Sequence, residues 1–429
     1  MEKRWFLLSV VSLGLGGFLA FVVAMARTPG VYQYFPPGYF YYALIGHVDL
    51  AIVIFLLSFT LLVWNRVYRA DTRIAFYLSL LGFLGVALSA FLGKGTAVSN
   101  NYLPTIVHPI FFGGIILFFC GFTLGAFSVL KSSIRDIISP DPVKNAVSVS
   151  VMLGILMMLA VIPSYLRAGD PSNVYIFYER LFWAPGHIHQ FLNGAMLLYA
   201  WYYLLALLGS EKRLNFLRFI NLSFLIFGFL LFLVPVLYAD PISMPAKIFT
   251  EVSYAVGLGI PMFLHAFNVI KGFKPDVKNP FSSALLLSLS LYFLGVLIAY
   301  AGIKADLRVP AHYHGTVTSL TLALMVISYK LVQEYGYTQR LSALSRVQPY
   351  LYGVGMILFI LGLYFAGRGG APRKTYGTGY TQDPVVLFSL VIMGIGTLMA
   401  VIGGVMFVLY ILRLLLRGQV YHGLQEDKG

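Results

Sequence analysis

The chain has 429 residues, 59% of them hydrophobic and only 11% charged. Soluble domains carry about 25% charged residues, so the composition excludes a soluble globular protein and points to a polytopic membrane protein in contact with lipid. The net charge of +14 does not read as a nucleic-acid footprint, because the basic residues gather in loops on one side of the predicted spans and mark topology instead.

Twelve apolar stretches are long enough to cross a bilayer, at about 5–26, 39–64, 74–93, 106–130, 145–166, 181–209, 214–238, 249–270, 281–303, 311–331, 348–366 and 384–412. With both termini on one side, the loops on that side hold 20 of the 30 Lys and Arg residues. The positive-inside rule then puts both termini in the cytoplasm and the chain in the cytoplasmic membrane. The first stretch ends Ala24-Met25-Ala26, which resembles a signal-peptidase site, but its long apolar core and the even number of spans it completes favour a retained helix. The connecting loops are short and no low-complexity linker interrupts them, so the expected fold is all-α, one twelve-helix membrane domain over residues 1–429.

Taken in chain order, the spans carry a pattern of histidines. His47 lies in the second span, about 12 Å from its start at 1.5 Å per residue, with Asp49 two residues on. His108 opens the fourth span, His187 and His189 the sixth, and His312 and His314 the tenth. These are six of the eight histidines, all near the outer ends of even-numbered spans, which run from outside to inside. Scattered core histidines have no reason to share a depth, so the pattern points to a metal or haem layer in the outer leaflet. The other two differ: His265 sits near the inner end of the eighth span and reads as a satisfied interior residue, and His422 lies in the polar tail. The single cysteine, Cys120, is inside an apolar run, so any metal must be held by nitrogen or oxygen.

The tenth span opens Val309-Pro310-Ala311-His312-Tyr313-His314-Gly315. On an α-helix positions i and i+2 point about 200° apart, so two imidazoles on nearly opposite faces can each ligate a different centre. That spacing suits two haems side by side.

The order of these motifs resembles subunit I of the haem-copper oxidase superfamily, which includes cytochrome oxidases and nitric oxide reductases, over nearly the whole chain. Tyr41-Tyr42-Ala43-Leu44-Ile45-Gly46-His47 is similar to the family's second-helix segment, and Pro310-Ala311-His312-Tyr313-His314 to its tenth. The resemblance implies that His47 and His314 are axial ligands of a low-spin haem and that His312 is the proximal ligand of a high-spin haem. Ala371-Pro372-Arg373-Lys374, after the eleventh span, resembles the family's Pro-Arg-Arg segment. The resemblance thus gives Arg373 and Lys374, and Arg27 just past the first span, the task of neutralising haem propionates.

Two regions depart from the family. Trp183-Ala184-Pro185-Gly186-His187-Ile188-His189-Gln190-Phe191-Leu192-Asn193-Gly194 admits two alignments. Gly186-His187 is similar to the oxidases, whereas His189 through Gly194 is similar to the His-x-x-x-Glu-Gly of the reductases, with Asn193 in place of the glutamate. His187, His189 and Asn193 are therefore the candidate catalytic residues, and only one of the two histidines is expected to face the haem pocket. The seventh span, where the family has a His-His pair, has none in Leu231–Pro241. With His187 or His189, Asp240 is the candidate ligand for a non-haem metal, an oxygen that favours iron over copper; capping a loop is its other reading.

The eighth span has no mid-membrane lysine and the inner halves of the second to sixth spans have no glutamate, so proton pumping is not expected. The leading expectation is a respiratory oxidoreductase that reduces oxygen or nitric oxide at the high-spin haem. It is weighed against a non-catalytic haem protein that passes electrons within a larger complex, and against a haem-free transporter. With no Cys-x-x-Cys-His motif in the sequence, a respiratory role implies an electron-donating partner such as a cytochrome c, a copper-domain subunit or a quinol-linked subunit.

Overall fold

The computed structural model describes residues 1–418; His422 lies outside them. Its long helices follow the predicted spans: α1 (Glu2–Met25), α2 (Pro37–Tyr68), α3 (Arg73–Leu92), α4 (Pro109–Asp136), α5 (Pro142–Arg167), α6 (Val174–Leu207), α7 (Leu217–Leu237), α8 (Met244–Gly272), α9 (Pro280–Tyr300), α10 (Arg308–Glu334), α11 (Leu344–Arg368) and α12 (Pro384–Arg417). All of them except α6 are long and apolar enough to cross a membrane. In α6 the apolar run is diluted by Glu179, Arg180, His187, His189 and Asn193, and all of these but Arg180 are buried. The helix is therefore held by protein around it rather than by lipid.

Helix α6 begins at Val174 rather than near 181, because the Asn173 side chain accepts a hydrogen bond from the Ile176 N–H and caps it. Two helices are locally rewound. α2 turns π-helical over Asp49–Ile54 and α8 over Tyr254–Gly259, a local widening that recurs at functional sites. Nothing in the apolar pattern announces either.

The connection between α3 and α4 is a hairpin. Strands β1 (Thr96–Val98) and β2 (Thr105–Val107) pair antiparallel, with Thr96 opposite Val107 and Val98 opposite Thr105. Their β-branched residues suit a strand, and the Asn-Asn-Tyr-Leu-Pro between them supplies the turn.

The chain divides into two compact units. The first comprises Met1–Leu19 and Tyr41–Phe273, and in it α3 packs along α4 and α5 along α6. The second comprises Ala20–Phe40 and, among the described residues, 274–418, and in it α9 packs along α10 and α11 along α12. The apolar windows of α2 and α10 are 78% and 89% buried, against 61% or less for the other spanning windows, so these two histidine-bearing helices are interior ones.

Candidate functional site

In the first unit, His47 points its Nδ1 at the Gly16 carbonyl of α1, 3.1 Å away. A carbonyl only accepts, so Nδ1 carries the hydrogen and the lone pair lies on Nε2, as in haem-ligating histidines. Asp49, two residues on in the π-helical turn, is fully buried, and neither of its carboxylate oxygens has a hydrogen-bond partner.

Helix α6 brings His187, His189 and Asn193 together but gives them different surroundings. The His187 ring sits among Tyr102, Trp183 and Tyr254, with ring centroids 4.4, 4.5 and 5.2 Å away. Its Nδ1 donates to the Trp183 carbonyl at 2.5 Å, and its Nε2 accepts from the Tyr102 hydroxyl at 2.5 Å. Both ring nitrogens are therefore engaged. His189 is equally buried, yet its Nε2 has no partner, and neither does the Oδ1 of Asn193 one helical turn on. The Asn193 amide reaches only Gln190 Oε1, at 3.4 Å.

Tyr102 comes from the hairpin tip. Its backbone is left-handed, with φ of 67°, a conformation that a tyrosine adopts only when its surroundings hold it. Glu179 supplies the hold, accepting from the Asn101 N–H at 2.9 Å and from the Asn101 side-chain amide. Gly186 supplies the space: a Cβ there would lie 2.3 Å from the Tyr102 ring. Sequence reasoning missed Tyr102, although the turn residues 99–104 between two β-branched runs were the available signal.

Asp240 is not brought to this group. Its Oδ1 accepts from Arg180 Nε at 3.0 Å and from the Ile242 N–H at 3.2 Å, so it serves as an ion-pair partner and loop cap. His108, grouped with the histidine layer in the sequence, sits just outside α4 as its N-cap, with Nδ1 accepting from the Ile110 N–H at 3.3 Å. His265 is a satisfied interior residue, bonded to Tyr202 and to Asn221 at 2.8 Å each.

In the second unit, the two histidines of α10 go to different partners. His312 Nδ1 donates to the Gly295 carbonyl of α9 at 2.8 Å, whereas His314 Nδ1 donates to Pro310 in its own helix at 2.7 Å. His314 also packs against Tyr313 and Phe359, with centroids 4.8 and 4.9 Å away. The rings diverge, as i and i+2 on a helix require, and each has its lone pair on Nε2. The α9 contact depends on two glycines: a Cβ on Gly315 would lie 2.5 Å from the Gly295 Cα. His312, Tyr313 and His314 are only half-buried in this interior helix, so part of their surface is left uncovered by protein.

The expected cations converge in the same unit. Arg27 is buried and donates from Nη2 to the Pro372 carbonyl at 2.7 Å. The Gly377 N–H donates to the Ala26 carbonyl at 2.9 Å, and the Tyr376 hydroxyl bonds the Tyr32 and Phe35 carbonyls at 2.8 Å, so the segment carrying Arg373 and Lys374 is pinned beside Arg27. At the foot of α10, Asp306 and Arg308 form an ion pair at 2.6 Å.

The sequence pattern of the family described as cytochrome c and quinol oxidase polypeptide I matches residues 2–406. An uncharacterized protein of Aquifex aeolicus is 37% identical over 369 residues, covering 85% of this chain and 92% of its own. An uncharacterized protein of Rickettsia prowazekii is 28% identical over an alignment that covers 95% of this chain and 94% of its own. Among solved structures, a haem-copper terminal oxidase determined as a dimer by electron cryo-microscopy superposes with a TM-score of 0.77 at 19% identity, covering 98% of this chain and 85% of that one. A likeness at that identity speaks to the fold.

Proposed function

The chain belongs to the cytochrome c and quinol oxidase polypeptide I family, and from that premise we propose that it is a haem-bearing respiratory oxidoreductase of the membrane that reduces oxygen or nitric oxide without pumping protons. His47 and His314 would hold a low-spin haem, and His312 would hold a high-spin one. Arg27, Arg373 and Lys374 neutralise the propionates. His187, His189 and Asn193 are the residues that would serve the reaction itself. When bound, haem would supply reversible one-electron chemistry and the capacity to bind a gas.

The observation that carries this reading is the common state of His47, His312 and His314. Each ring has its Nδ1–H tied to a backbone carbonyl, which fixes the ring orientation and tautomer in the way that metal-ligating histidines are fixed. The protein's own contribution is therefore to hold the imidazoles neutral and oriented. Buried cations beside anionic propionates cost less than either charge alone. Electrons enter from a membrane donor, either a quinol or a cytochrome c or copper-domain subunit. Both termini face the cytoplasm, with the haem layer toward the outer side.

A second reading, an electron-carrying relative without turnover, is favoured by one observation: the α7 segment Leu231–Pro241 has no histidine. The purified protein is reduced and its optical difference spectrum recorded with and without carbon monoxide. A carbon monoxide shift superimposed on haem bands supports the reductase. Haem bands that ignore carbon monoxide support the electron carrier, and a spectrum without haem removes both.

A further inference from the structure

The donor set of this chain does not fit the non-haem metal that its family implies. Transition-metal centres in proteins draw on three or more side-chain donors, and here the supply is shorter. Among the described residues no group of three His, Cys, Asp or Glu could hold a metal ion. α7 contributes no histidine, and Asp240, its nearest carboxylate, is engaged by Arg180 and the Ile242 N–H.

What stands in place of that set is a built contact. His187 has no lone pair to offer, because the Trp183 carbonyl takes its Nδ1–H and the Tyr102 hydroxyl donates to its Nε2. The contact is held from three directions: the hairpin carries Tyr102 in a left-handed backbone, Glu179 grips the adjacent Asn101, and Gly186 leaves room for the phenol ring. A hydroxyl that only happened to lie nearby would not need a strained residue, a buried carboxylate and a glycine to keep it there. His189 Nε2 and Asn193 Oδ1 remain, both buried and both without a partner. Two neutral donors one turn apart suffice for a hydrogen-bonded water or a small polar molecule, and are too few for a divalent ion.

We infer that this chain carries no non-haem metal: Tyr102, presented by the α3–α4 hairpin, is a positioning residue that satisfies His187 in the metal's stead, and His189 with Asn193 forms a neutral hydrogen-bonding pair. The inference deepens the reading of the preceding subsection and rests on it for the existence of the haem.

The test is elemental. The full chain is purified in detergent and dialysed against a chelator; copper, zinc and iron are measured by mass spectrometry, and haem by the pyridine haemochrome assay. The expected result is iron equal to haem iron, with copper and zinc sub-stoichiometric and unchanged in His187→Gln and His189→Gln. A full equivalent of copper, zinc or non-haem iron retained by the wild type overturns the inference, whether or not the variants accumulate. Tyr102→Phe keeps the ring over Gly186 and removes only the hydroxyl. It is expected to shift the carbon monoxide stretch of the reduced protein while leaving metal content unchanged, and a gain of one bound metal per chain in this variant overturns the inference by showing that the donor set suffices for a metal. An unshifted stretch counts against the positioning role. Absence of haem strikes the preceding reading alone, since the metal count is read separately.

Discussion

His312 and Gly295 lie 17 residues apart in sequence and 2.8 Å apart in space, ring nitrogen to carbonyl, across the crossing of α9 and α10. A Cβ on Gly295 would sit 2.7 Å from the Thr316 nitrogen and 2.8 Å from the His312 carbonyl oxygen. We predict that Gly295→Ala forces the helices apart at a cost of about 1–3 kcal/mol, the usual price of overpacking. The detergent-solubilised variant should melt at a lower temperature and show a perturbed high-spin haem spectrum. An unchanged Tm would mean that the two backbones do not meet there.

The histidine assignments predict separable spectroscopic losses. His47→Ala and His314→Ala should each abolish the low-spin haem signal in reduced-minus-oxidised spectra, and His312→Ala should selectively remove the high-spin one. A low-spin signal that persists in either of the first two variants removes that residue as a ligand. Equal loss of both haems in all three would mean only that the fold had failed.

Asp49 predicts a gain in stability. Its two carboxylate oxygens are buried without partners, and an unsatisfied buried group costs about 1–3 kcal/mol. Asp49→Leu removes that cost, so its Tm should rise. A fall in Tm accompanied by loss of haem would show instead that the carboxyl serves a bound group.

Glu179 anchors the hairpin through Asn101. Because the carboxyl is buried and its loss leaves the Asn101 donors without their acceptor, Glu179→Ala should cost about 2 kcal/mol and loosen the tip. Limited proteolysis of the intact protein is the direct readout, with faster cleavage expected within residues 99–104. Cleavage at the wild-type rate would show that the hairpin stands without the carboxylate.

Asp306 gives an acid limb to stability. Burial alone pushes its pKa up, but the hydrogen bonds from the Arg308 guanidinium and N–H, together with the positive charge, outweigh burial and leave the carboxyl below its ordinary value. A depressed folded pKa means that the stabilisation is fully present above the unfolded value of about 3.9 and is lost as pH falls through the lower folded one. Asp306→Asn should flatten this part of the Tm-against-pH curve below about pH 4. A curve of unchanged slope would show that the pair does not contribute there.

The spans and the histidines at their ends were legible in the sequence because both obey rules of length and position. Apolar runs must match the bilayer, and His47, His312 and His314 announce themselves by their place within those runs. The rest was hidden because it depends on contacts between distant segments. No periodicity foretells the π-helical turns beside Asp49 and Tyr254. The early start of α6 hangs on a single cap, Asn173. Whether His187 or His189 is free could not be decided from their spacing, since the answer comes from Tyr102, on a hairpin 85 residues earlier. His108 was misplaced for a similar reason: a histidine at a helix start can cap as readily as it can ligate.

The polar character of α6 has a consequence for how the chain is made. A segment interrupted by two charges and two histidines partitions poorly from the translocon into lipid on its own. At 34 residues it is also about 51 Å long, well beyond the hydrocarbon layer. Its insertion must therefore be assisted by α5, which is synthesised just before it and packs along it. Lesions on the α5 face that receives α6 should be read out first as failed biogenesis and degradation, before any defect in chemistry can be expressed.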